Sequence, residues 1–88
     1  MNKFPLGRLV ATPSALEVLK GERIWPYVAR HSQGDWGDFN KEDKAENELS
    51  LERGFRLLSA YDLLGGECIW IITEADRSAT TVLLPEDY

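Results

Sequence analysis

The residues best suited to chemistry lie in HSQGDWGDFNKED, residues 31–43. His31 is the chain's one histidine, and Asp35 and Asp38 follow it in an H-x3-D-x2-D spacing. One imidazole and two carboxylates suit a divalent metal, so His31, Asp35 and Asp38 define the enzymatic alternative, a metal-dependent hydrolase or nuclease. The spacing matches no motif with defined mechanics. A histidine at a helix end more often meets the last carbonyls, and an aspartate beside glycine caps a turn. The expectation is therefore a loop with no metal, no cofactor and no catalytic residue. Trp36 within this stretch is either folded onto the core or an exposed anchor for a partner.

The rest of the chain offers little reactive chemistry. Cys68 lies among apolar residues with no basic neighbour in sequence, which argues against a nucleophile. One cysteine and one histidine do not supply a closed zinc site, and a single thiol forms no internal disulfide, as suits a reducing cytoplasm. There is no phosphate-cradling glycine loop and no G-x-S-x-G. In TEADRS (73–78), Asp76 and Ser78 are expected to satisfy turn backbone and Arg77 to pair with Glu74.

Charge is the most informative quantity. The net charge of −5 resides wholly in Asp35–Glu52, which holds seven acids against two lysines, while the remainder balances. An acidic arm repels phosphate, so direct nucleic-acid binding is not expected, and neither is a ribosome-dependent endoribonuclease or a repressor with a basic recognition helix. The arm is either a solvated helix surface or a lure for a basic protein, with Glu42, Asp43 and Glu46 as its contact residues. No apolar run approaches a membrane span, and the N-terminus carries no secretory signal pattern.

The elements that must position these residues follow from periodicity. The 88 residues form one domain, 1–88, of α+β class. A short N-terminal strand (6–12) leads into a helix capped by Thr12, with Pro13 first and Gly21 past its end, burying Ala15, Leu16 and Leu19. A second helix runs from Pro26 to about Ser32 and stops near Gly34, with Tyr27, Val28 and Trp25 as its apolar set. Asn40 caps a third, with Asp43 three residues on, and Gly54 ends it. Ala45, Leu49, Leu51 and Phe55 form its apolar arc, with Glu48 and Glu52 inside that arc, their stems at the core edge or one carboxylate buried.

From Arg56 onward the period alternates, giving a three-stranded antiparallel meander packed on the helices. A two-residue turn at Gly65-Gly66 sets Leu64 opposite Glu67, Asp62 opposite Ile69 and Tyr61 opposite Trp70. A second reversal at Asp76-Arg77 sets Glu74 opposite Ala79 and Ile72 opposite Thr81. The core face is then Leu58, Ala60, Ile69, Ile71, Val82 and Leu84, with Thr73 and Thr80. The second face is Leu57, Ser59, Tyr61, Leu63, Cys68, Trp70, Ile72, Thr81 and Leu83. Three short helices do not cover both faces, so either a helix wraps round or the second face is completed by another protein or another copy, making Tyr61 and Trp70 contact residues.

GDWGD and WIITEADRSATTVLLPEDY, within a likeness running from LGRLVATPSAL to the terminal tyrosine, resemble a family of small bacterial proteins encoded on plasmids and integrated elements, often labelled plasmid-related. The resemblance implies a mobile-element accessory protein and carries no activity. A type I restriction–modification label borne by some members is not supported, since a Gly-rich cofactor loop and an N-P-P-F/Y motif are both missing. The combined expectation is a non-enzymatic, cytoplasmic protein-binding module that presents an acidic helix to a basic partner, with a homodimer through the open sheet face as a further possibility.

Overall fold

The structure, a computed structural model, describes residues 2–19, 23–37 and 41–88. Strand β1 (Arg8–Ala11) runs into helix α1 (Pro13–Val18). Thr12 makes that transition: its backbone is extended and its Oγ1 accepts the Ala15 N–H at 3.2 Å, while Pro13 supplies the preset φ of a first helical residue. Helix α2 (Trp25–Ser32) also begins with a proline in its first turn and stops before Gly34, whose φ is 81°. Helix α3 (Lys41–Arg53) ends at Gly54, where the N–H groups of Gly54 and Phe55 both close on the Ser50 carbonyl. The sequence signals for these ends hold. Gly21 and Asn40, expected as a helix stop and a cap, and Asp38, a ligand only in the enzymatic alternative, lie outside the described residues.

Strands β2 (Leu57–Asp62), β3 (Cys68–Thr73) and β4 (Ala79–Leu83) form the antiparallel meander. The N-terminal strand joins it, β1 pairing in parallel with β4, so the sheet has four strands in the order β1-β4-β3-β2. A short 3₁₀ turn, Pro85–Asp87, closes the chain. Its Asp87 carboxylate accepts the hydroxyls of Thr12 and Ser14, pinning the C-terminus to the start of α1.

The β2–β3 register differs from expectation by one residue. The Gly66 N–H closes on Leu63 O at 3.0 Å, and the Leu63 N–H on Glu67 O at 2.7 Å. Gly66 is left-handed, φ 91°, so the loop is three residues, Leu64-Gly65-Gly66, ending in a bulged glycine rather than a two-residue turn. Tyr61 therefore faces Ile69, and Asp62 faces Cys68. A one-residue slip exchanges the faces of a strand. Leu57, Ser59, Tyr61 and Leu63 point into the core, while Leu58 and Ala60 lie on the second face with Trp70, Ile72, Thr81 and Leu83. The β3–β4 register, with Ile72 opposite Thr81, is as expected.

Helices α1 and α2 cover the core face: Ala15, Leu19 and Val28 pack on Tyr61, Leu63, Ile69, Ile71, Val82 and Leu84. Leu16, assigned to that stripe, faces outward instead, because the i, i+4 pair Ala15 and Leu19 takes the buried side. Trp25 is likewise exposed. The arc expected of α3 does not face the core either. Ala45 is exposed, Leu49 and Phe55 are 43% and 55% exposed, and only Leu51 packs inward, against Phe4, Trp36 and Leu57. Helix α3 lies instead along the outer edge of β2, held by the side-chain amide of Asn47 (below).

Candidate functional site

The residues first suited to chemistry are built into the interior. His31, Ser59, Thr73 and Thr80 have no exposed surface and form one hydrogen-bonded chain. Its proton positions follow from counting. Thr80 donates its single hydroxyl proton to Leu6 O at 2.7 Å, so in its 2.7 Å contact with Thr73 it is the acceptor. Thr73, its proton thus committed, accepts from His31 Nε2 at 2.8 Å. In the neutral ring Nδ1 is then bare, and it accepts the Ser59 hydroxyl at 2.5 Å. Burial first, and the Arg77 charge second, lower the imidazole pKa from 6.5 to about 4, so the ring is neutral at pH 7. A serine hydroxyl on a histidine nitrogen resembles an activated nucleophile. Here both groups are sealed from solvent, and no substrate atom reaches the oxygen.

Asp35 is not brought to His31. Its carboxylate takes Arg30 Nε at 2.7 Å and the Gly37 N–H at 3.2 Å, and the Arg30 hydrogen bond is the first cause of its lowered pKa. The Asp35 carbonyl accepts the Tyr61 hydroxyl, and Arg30 stacks over the Tyr61 ring at 4.5 Å. Trp36 is 3% exposed, parallel to Phe4 and edge-on to His31, and its indole N–H donates to Glu48 at 2.7 Å. Its carbonyl receives the Ala60 N–H, and Gly37 continues beside β2 as a one-residue bridge. A side chain at Gly37 would overlap the Ala60 carbonyl and the Tyr61 ring, and its φ of 83° is also unfavourable to other residues. This stretch is a clamp on the sheet edge. Trp36 and Tyr61, named as contact residues from the sequence, belong to the interior.

The other named residues meet at the surface. A groove of 370 Å³ runs between α3 and the second sheet face, lined by Asp43, Glu46, Asn47, Ser50, Arg56, Leu58 and Trp70. The Trp70 indole, half-buried, meets the Tyr88 ring edge-on at 5.7 Å. The Arg56 guanidinium is engaged by Glu74 at 3.1 Å and by the Tyr88 hydroxyl at 3.0 Å, and the Glu74 contact is the first cause of its raised pKa. With that cation paired, the rim carries the carboxylates of Asp43 and Glu46 beside an aromatic floor. Glu42 is exposed on the same helix.

Two positions that organise this site carry no clear sequence signal. Asn47 is buried mid-helix, donating to Leu58 O at 2.7 Å and accepting the Leu58 N–H at 3.0 Å, so its amide replaces a strand partner. The only hint is an amide within a helix made mostly of charged and polar residues. Arg77 sits at the β3–β4 turn with φ 61° and donates to the carbonyls of Phe55 at 2.7 Å, Glu74 at 3.0 Å and Ser50 at 3.4 Å. It ties that turn to the end of α3. The Glu74 carboxylate expected to hold Arg77 holds Arg56 instead.

Fold and groove together define a small α+β protein: a mixed sheet with two helices on one face and an acidic helix along one edge. Comparison with protein families, curated proteins and solved structures finds no match for the chain. Among the described residues, no helix is long and apolar enough to cross a membrane, and no cluster of three or more His, Cys, Asp or Glu forms a metal-binding group.

Proposed function

We propose that this chain is a non-enzymatic binding module that receives a basic protein segment in the groove between α3 and the second sheet face. The observation that carries this reading is that Asp43 and Glu46 of the acidic arm line the same groove as Trp70. An aromatic floor with an anionic rim suits a lysine or arginine side chain, whose stem packs on the indole while its cation meets the carboxylates. The rim also disfavours phosphate, so the partner is a protein rather than a nucleic acid. With His31 sealed and Asp35 held by Arg30, the hydrolase alternative lacks its ligand set. The resemblance to plasmid-borne accessory proteins is compatible with such a module, and the lone thiol of Cys68 suits a reducing cytoplasm.

The test is association kinetics with a basic partner recovered by affinity capture. Exposed charge of one sign raises the on-rate, with screening over about 10 Å at 0.1 M salt. Asp43→Asn with Glu46→Gln should slow association and flatten its salt dependence, and Glu42→Gln should add a smaller effect. Trp70→Ala should slow nothing at encounter but weaken the complex by about 2 kcal/mol through faster dissociation. Association indifferent to salt and to these substitutions would leave the arm a solvated surface.

A further inference from the structure

We propose that two copies of this chain join edge to edge through β1, forming a continuous eight-stranded sheet. This rests on the two sheet edges being treated differently, and it is independent of what the groove binds. The β2 edge is closed: Asn47 takes both backbone groups of Leu58, and Trp36 takes the Ala60 N–H. The β1 edge is the other end of the sheet. Arg8 and Thr12 donate inward to Ser78 and Val82 of the β4 side, so by alternation Val10 also faces β4. The N–H and C=O groups of Leu9 and Ala11 then point outward, and among the described residues nothing pairs with them. An unpaired strand edge is a template for another strand.

A second copy fits this edge better than it fits the acidic side of the molecule. In a two-fold antiparallel pairing centred on Val10, Leu9 exchanges both backbone hydrogen bonds with Ala11 of the other copy, and Val10 lies beside Val10. Val10 is 41% exposed in one copy and gains an apolar neighbour across the axis. Arg8 falls opposite Thr12, so no like charges are opposed. The excess negative charge sits on and around α3, along the β2 edge at the far side of the sheet. Joining through β1 therefore holds the two acidic arms at opposite ends, whereas contact near the groove would set acid against acid. Directly opposed residues share a face, so both grooves open on the same side of the joined sheet.

Sedimentation equilibrium of the full chain over a concentration series should show a reversible dimer, with the Leu9 and Ala11 amides becoming protected from hydrogen exchange as it forms. Ala11→Pro removes one outward N–H per copy without touching the β4 ladder, and should weaken dimerisation about tenfold or more. Val10→Lys sets like charges together on the axis and should do the same; it decides the matter if the proline variant fails to fold. Trp70→Ala should leave dimerisation unchanged. A monomer at every concentration overturns the proposal, as does a dimer indifferent to Val10→Lys, or one dissociated by Trp70→Ala because the copies meet through the open face.

Discussion

Stability should fall by about 3 kcal/mol as the pH drops from 6.5 to 4, and His31 should be responsible. In the unfolded chain the imidazole takes its proton near 6.5, while in the fold it does so only near 4. Between those values the unfolded state binds more protons, so acid favours unfolding. Above 6.5 both states are neutral and the His31 dependence vanishes; below 4 both are charged and its slope ends. Protonation would make Nδ1 a donor toward a Ser59 hydroxyl that now donates to it, breaking the direction of the chain. Asp35, Asp76 and Asp87, lowered chiefly by Arg30, Ser78 and Ser14 respectively, act at more acid pH than this window. Urea titrations across the pH series measure the effect, and a flat profile between 6.5 and 4.5 would contradict it.

His31→Ala at pH 7 removes the ring from among Phe4, Trp36, Ser59 and Thr73. It leaves a cavity and two hydroxyls without their partner, for a cost of about 3–5 kcal/mol. A domain of this size has about 5–15 kcal/mol in total, so the variant should be close to unfolding. Where it remains folded, it should lack the acid dependence of the parent.

Asn47→Ala should detach α3 from the sheet while the meander survives. The substitution leaves the Leu58 N–H and C=O unpaired in a part-buried setting, costing about 2–4 kcal/mol. Among the described residues, the helix is also held by the Glu48 contact to Trp36, the packing of Leu51 and the reach of Arg77 to Ser50. Hydrogen exchange should show protection lost over residues 41–53 and kept in β3 and β4. The uncovered β2 edge should also raise aggregation. Asn47→Asp is the sharper variant. It keeps an acceptor for the Leu58 N–H but sets a second carboxylate oxygen against the Leu58 carbonyl, so it should be no milder than alanine. Losses below about 0.5 kcal/mol in both variants would mean that α3 is docked by something other than this amide.

Local physics was legible in the sequence wherever a residue constrains its own backbone. Thr12-Pro13 opens α1, Gly54 ends α3, and alternation from Leu57 announces strands, because capping, preset φ and side-chain period act within a few residues. The concentration of charge on one arm was equally plain. What only the tertiary structure decided depends on single-residue geometry or on distant partners. The left-handed Gly66 shifts β2 by one position and sends Tyr61 inward, a choice that the pair Gly65-Gly66 leaves open because either glycine tolerates positive φ. The parallel seat of β1 depends on β4, about seventy residues away. His31 is a core residue because Ser59 and Thr73 come from two neighbouring strands to meet its two nitrogens. Helix α3 leaves most of its expected apolar arc exposed because it is anchored by Asn47 rather than by that arc. Hydrophobic periodicity reports burial of carbon, and is silent about an amide that satisfies the edge of a sheet.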